Sequence, residues 1–218
     1  GARKGSALNV AKNLLREAGY SRFASDRTSK ERFLMDMRQY DEDDPLIEAD
    51  LDALTLNEPS EVYVVAGEFT DFIGPNNMEF VIMLTNLWDN LPEYKNPKIH
   101  GKSVVVHEPT INIIGGNTVQ GFALAFPPES LGNGFLSRML LIYGEPTGQK
   151  IAWSKPADAL VAAELANHLK DIKENIKGEF KLAPGAEELG ARIYESFVEI
   201  DDIRFKHYST RRFIHFLK

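Results

Sequence analysis

The chain has 218 residues, 43% of them apolar, 26% charged and 10% aromatic, with no cysteine. That is enough material for a buried core in one domain or a domain with an appendage, and it excludes a disulfide framework or a thiolate metal site. No apolar run approaches the roughly 20 residues that span a bilayer, and the formal charge of −7 argues against bulk electrostatic attachment to nucleic acid.

The charge is uneven. No Lys or Arg falls between Gln39 and Tyr94, whereas fourteen of the 32 acidic residues do. One acidic segment therefore conceals a net basic remainder that can receive an anionic ligand. A charged stretch followed by an apolar leader is not visible, and a reducing compartment is the expectation.

The chain opens at Gly1-Ala2-Arg3-Lys4-Gly5-Ser6 without an initiator Met and enters a helical pattern at once. Ala7, Val10, Ala11, Leu14, Leu15 and Ala18 recur as one apolar helix face, with Gly19 as the stop. The expectation is a piece of a longer protein in which a strand precedes Gly1. Ser21 to Ser25 reads as a short strand. Thr28-Ser29-Lys30-Glu31 has capping-box spacing and opens a helix through Phe33, Leu34 and Met37. Asp41 to Glu61 reads as a solvated acidic loop, and Val62 to Ala66 as a continuous apolar strand buried on both faces.

Asn76 to Leu91 is predicted helical and Pro92 to Gly101 a loop. Ser103 to His107 and Thr110 to Ile114 read as strands, followed by Gly115-Gly116-Asn117-Thr118 and a helix from Val119 to Phe126. After the turn Pro127-Pro128 and the segment Gly132 to Arg138, Met139 to Tyr143 is a further strand candidate. Ala157 to Lys177, Ala183 to Ile203 and Ser209 to Lys218 are predicted helical. Strands alternating with helices, then a helical tail, predict an α/β sheet over residues 1–150 with a helical extension over 151–218. Ligands of such sheets bind outside the carboxyl ends of the strands, which selects the opening loop, Glu68, Asn117 and the residues before Met139.

A phosphate loop needs small residues that let backbone N–H groups converge, a lysine for the outer phosphates, a hydroxyl for magnesium, and a helix N-terminus facing the anion. Gly1, Lys4, Gly5 and Ser6 supply the second half of that arrangement, although Arg3 stands where a glycine is usual. The plain alternative is a helix N-terminus with a basic residue nearby. Glu68 follows an apolar strand, where P-loop ATPases place the acid that polarises the attacking water; Gly67 replaces the usual preceding Asp, and Asp71 is available to compensate. Asn117 can sense a γ-phosphate, or it belongs to a Gly-Gly-Asn turn. Arg138 can serve as an arginine finger, or as a structural ion pair. The five histidines show no ligand spacing, and no Gly-x-Ser-x-Gly elbow occurs.

Gly1-Ala2-Arg3-Lys4-Gly5-Ser6-Ala7, Gly67-Glu68-Phe69, Pro109 to Gly116 and Gly134-Phe135-Leu136-Ser137-Arg138, in that order over roughly residues 1 to 145, resemble a P-loop family of phages, prophages and plasmids. That family is related to RecA-like hexameric replicative helicases and is often found beside primase domains. The resemblance implies a RecA-like sheet flanked by helices, ATP and magnesium as cofactors, and ATP hydrolysis coupled to movement along DNA. It further implies a homo-oligomeric ring, single-stranded DNA and a primase as partners, no membrane, and a host-cytoplasmic location. Position by position it implies Lys4 and Ser6 for the phosphates and magnesium, Glu68 for the catalytic acid, Asn117 for the sensor and Arg138 for the finger. Candidate DNA contacts are Lys95, Lys98 and Lys102 beside Tyr94, or Arg204, Lys206, Arg211, Arg212 and Lys218 beside Phe205, Tyr208 and Phe213. Two other classes fit the same residues: a nucleotide-binding scaffold that does not hydrolyse, and a phosphotransferase resembling nucleoside-monophosphate kinases.

Overall fold

The computed structural model describes residues 4–38, 59–89, 91–96, 104–126, 134–145, 148, 152–153, 158–179, 181–202, 206 and 208–211. The chain divides into two compact units. The first takes Arg3–Lys12 and Ser21–Ala125, and the second takes Asn13–Tyr20 and Phe126–Lys218. The architecture is mixed α/β, with small sheets flanked by helices and a helical C-terminal extension.

In the first unit, β1 (Glu61–Ala66) and β4 (Thr110–Gly115) pair in parallel, with Val62 opposite Ile111 and Ala66 opposite Gly115. On its other edge Tyr63 makes a single parallel bridge to Phe23, donating its N–H to Arg22 O at 2.8 Å and accepting from Ala24 N at 3.0 Å. A residue's N–H and C=O leave a strand on the same side, so Tyr63 serves the 22–24 segment while its neighbours serve β4. A second sheet pairs β2 (Glu93–Asn96) and β3 (Val104–His107) antiparallel, with Tyr94 opposite Val106.

Helices supply the rest of the core. Phe33, Leu34 and Met37 of α2 (Lys30–Arg38), Phe69, Phe72 and Ile73 of α3 (Phe69–Ile73), and Phe80, Val81, Met83, Leu84 and Leu87 of α4 (Met78–Leu87) are buried with Val62, Val64, Val104 and Val106. Phe33 meets Phe72 and Phe80 edge-on, at centroid distances of 6.0 and 5.5 Å, so one aromatic cluster joins three helices.

Several details differ from the sequence-based expectation. The helix over 30–38 is capped by Ser29 rather than Thr28: Ser29 Oγ accepts from Arg32 N at 3.2 Å. Ser21 to Ser25 holds only the one bridging residue. β1 is buried on one face and half-buried on the other, because residues 62, 64 and 66 alone turn toward the helices. The segment Asn76 to Leu91 is helical only over Met78–Leu87, since the Asn77 side chain caps it by accepting from Phe80 N at 3.3 Å. Residues 93–96 form a strand inside the expected loop. The acidic residues 41–58, the turn Pro127-Pro128 and the stretch 97–103 lie outside the described residues.

Tyr94 on β2 is half-buried, and that burial raises its hydroxyl pKa above the ordinary tyrosine value. The unfolded chain thus gives up this proton first as pH rises. Stability from this group is complete below the ordinary value and is lost as pH climbs through the folded one. Tyr94→Phe is expected to flatten the alkaline limb of a Tm-against-pH curve, and a parent curve already flat there would contradict it.

The second unit is described by itself. The end of α1 (Lys4–Glu17) lies in it, closed by Gly19 N and Tyr20 N donating to Arg16 O and Leu15 O, both at 2.9 Å. On this helix Leu8 is buried while Val10 is 53% exposed, so the inward face is offset from the one predicted. A short helix α6 (Phe135–Arg138) buries Phe135, Leu136 and Ser137. Met139 to Tyr143 is not a strand: it is irregular, with Leu140 and Ile142 exposed, and an apolar run without a pairing strand cannot form a ladder. The helices α7 (Ala159–Asn175) and α8 (Ala186–Ser196) are shorter than predicted, ending before Ile176 and Phe197. Among the described residues, no helix is long and apolar enough to cross a membrane.

Candidate functional site

Three of the singled-out residues stand at neighbouring element ends in the first unit, and two of them touch. Lys4 is the first residue of α1, Glu68 follows β1, and Asn117 follows β4. Lys4 Nζ lies 2.5 Å from Glu68 Oε1 and donates to Gly67 O at 3.1 Å. Glu68 stands at the N-cap of α3 without using its side chain there, so the carboxylate is committed to Lys4. The Lys4 and Glu68 side chains are 31% and 56% exposed. An ion pair that wet contributes little to stability, typically below about 1 kcal/mol, so the pair is not explained by a folding requirement.

The ends of β1 and β4 are stitched together. Gly116 N donates to Ala66 O at 2.9 Å and Phe69 N to Gly116 O at 2.8 Å. Gly116 is the residue that lets Lys4 cross: a Cβ there would stand 2.9 Å from Lys4 Cδ and 3.1 Å from Gly67 O. Gly115 likewise leaves room for the Phe69 ring. Both glycines are close-approach positions, not merely part of a turn.

Asn117 Oδ1 accepts from Thr70 Oγ1 at 3.4 Å and from Thr118 N at 3.1 Å. That assignment turns the amide so that Nδ2 is the remaining donor, and Nδ2 is buried with no hydrogen-bond partner among the described residues. A buried unpaired donor is costly and uncommon. Thr118 Oγ1 accepts from Gly121 N at 3.0 Å, which starts α5 (Val119–Ala125). Thr70 escaped the sequence reading, because nothing in Glu68-Phe69-Thr70-Asp71 signals that it reaches across to the next strand end.

Ser6 is exposed on the first turn of α1, Gly5 is half-buried, and Asp71 is exposed on α3. Gly1 and Arg3 lie outside the described residues. Arg138 belongs to the second unit, where it ends α6 and donates from Nη1 to Gly134 O at 3.0 Å. Of the candidate DNA contacts, Lys95 pairs with Glu93 at 2.6 Å and Lys206 with Glu199 at 3.1 Å. Lys98, Lys102, Arg204, Phe205, Arg212, Phe213 and Lys218 lie outside the described residues. Among the described residues, no group of three His, Asp or Glu side chains is arranged to hold a metal ion.

Comparison with protein-family models, with curated proteins and with solved structures finds no match.

Proposed function

We propose that this chain is a RecA-like P-loop ATPase of the kind that serves phage and mobile-element replicative helicases, coupling ATP hydrolysis to the unwinding or remodelling of DNA. The observation that carries the reading is the Lys4 ammonium seated on Glu68 at the carboxyl end of β1. A cation paired with a carboxylate follows β1 and an oriented amide follows β4, at the ends of two parallel strands where α/β sheets hold their ligands. The helix that begins there has no acidic residue in its first turn, which suits an anion at its N-terminus.

The residues fit ATP with magnesium. Asn117 Nδ2 is a buried donor awaiting an acceptor, Lys4 reaches the strand ends over a glycine, and Ser6 is the hydroxyl in the first turn. Ser6 would hold magnesium, which would neutralise charge on the phosphate oxygens when bound. Lys4 exchanges Glu68 for those oxygens on binding, and Glu68 is then free to accept a proton from the attacking water. Asn117 donates to a phosphate oxygen or to that water, and Thr70 holds its amide in the donating orientation. Arg138 of a neighbouring copy in a ring stabilises the departing phosphoryl group. Single-stranded DNA and a primase are the partners this reading supplies.

ATP turnover by the full chain, with and without single-stranded DNA, tests the proposal. Turnover stimulated by DNA and lost in Lys4→Ala is expected, and a Lys4→Ala variant that binds and hydrolyses ATP like the parent would refute it. One observation favours a second reading, a nucleotide-dependent scaffold without hydrolysis: Gly67 stands where the family resemblance expects an acid, leaving Glu68 alone after β1. Binding abolished by Lys4→Ala with no turnover in the parent would select that reading.

A further inference from the structure

Gly121 stands in the first turn of α5 on an ordinary helical backbone, so no left-handed φ calls for a glycine there. Glycine is also among the poorest helix formers, and α5 has only seven residues over which to absorb it. What the missing side chain provides is space. A Cβ on Gly121 would stand 2.8 Å from Asn117 Oδ1 and 3.0 Å from Thr118 Oγ1. The first of these is closer than such atoms come, so something would have to shift.

The Asn117 side chain occupies that space. Its oxygen lies over the start of α5, accepting from Thr118 N at 3.1 Å and, from α3, Thr70 Oγ1 at 3.4 Å. Thr118 Oγ1 is itself engaged, accepting from Gly121 N at 3.0 Å, and cannot retreat without giving up the cap of α5. The Asn117 amide is the group that yields, because it ends a side chain with two free torsions and its bond to Thr70 is already long. Any displacement of Oδ1 carries Nδ2 with it, since both belong to one amide.

We propose that Gly121 is a positioning residue for Asn117: by carrying no side chain it lets the amide lie back on α5 with its oxygen engaged and Nδ2 left to donate to the ligand. The assignment rests on the reading above in which Asn117 meets a phosphate oxygen or the attacking water. It carries that reading from the strand end into the next helix. Thr70 of α3 supplies the bond, Gly121 of α5 supplies the gap, and the amide is held between them.

Gly121→Ala in the full chain tests this, with Asn117→Ala and the double variant beside it. In a proton–nitrogen correlation spectrum the Asn117 side-chain signals, identified by their loss in Asn117→Ala, are expected to move in Gly121→Ala and to exchange with water faster than in the parent. The Tm is expected to hold or rise, because alanine favours the helix. For ATP, kcat is expected to fall about ten- to a hundredfold with KM little changed, the mark of a misplaced group that acts in the transition state. Adding Gly121→Ala to Asn117→Ala is expected to lower kcat no further, since nothing is left to position. Unmoved amide signals, a Tm far below the parent, or an equal fall in kcat with and without Asn117 would overturn the positioning role and leave the ATPase reading standing. A parent chain without ATP turnover would overturn that reading, and parental kcat in Asn117→Ala would take Asn117 out of it; the positioning role falls in either case.

Discussion

Glu68→Gln is expected to lower ATP turnover by about two to four orders of magnitude, the usual contribution of a positioned general base. The substitution keeps the volume and removes the charge, so it separates chemistry from binding. In the free chain the carboxylate holds Lys4 at 2.5 Å, and an incoming phosphate must compete for that ammonium. A neutral amide competes less, so nucleotide affinity is expected to hold or rise while turnover collapses. Stability is expected to change by less than about 1 kcal/mol, because Glu68 is 56% exposed. Steady-state hydrolysis, nucleotide titration and a thermal melt on the same sample check the three parts. Turnover within twofold of the parent would remove Glu68 from the mechanism, and a large drop in Tm would make it a structural residue instead.

The largest effect on stability is expected from Phe33→Ala. Phe33 is 0% exposed and is the ring against which both Phe72 and Phe80 pack edge-on. Truncating a buried Phe costs about 3–5 kcal/mol through lost transfer energy and the residual cavity, and losing two aromatic contacts adds to it. Against a total stability of order 5–15 kcal/mol, that loss leaves the first unit largely unfolded at modest urea. Urea titration followed by Trp88 fluorescence checks this in a Trp153→Phe background, which costs little because Trp153 is 90% exposed. Phe33→Leu is expected to lose much less, and equal midpoints for the two variants would show that the cluster is not filled as described.

What could be read in advance was local. Val62 to Ala66 and Thr110 to Ile114 are β-branched runs between polar or glycine stops, so their strands were legible from composition. Lys4, Glu68 and Asn117 were legible as polar residues at element ends. The pairing of β1 with β4 was not, because it joins residues some fifty apart in the chain, which no local pattern encodes. Glu93 to Asn96 shows no apolar alternation and exists as a strand because Val104 to His107 pairs with it. Met139 to Tyr143 errs the other way: its apolar run satisfies strand propensity, yet no neighbour among the described residues offers a ladder. Thr70 was invisible for a related reason, since its role is a contact made across strand ends.

The amide nitrogen of Asn117 has a consequence for how tightly anything docks at the tip of β4. A buried N–H₂ group left unanswered handicaps the free polypeptide by about 1–3 kcal/mol. A ligand of the proposed site that carried an oxygen in the right place would lift that handicap, and the gain would be felt as affinity although it originates in the host. Under the proposed function, discrimination would follow without any dedicated recognition pocket: molecules lacking such an oxygen would inherit the defect intact, and lose to those that cure it.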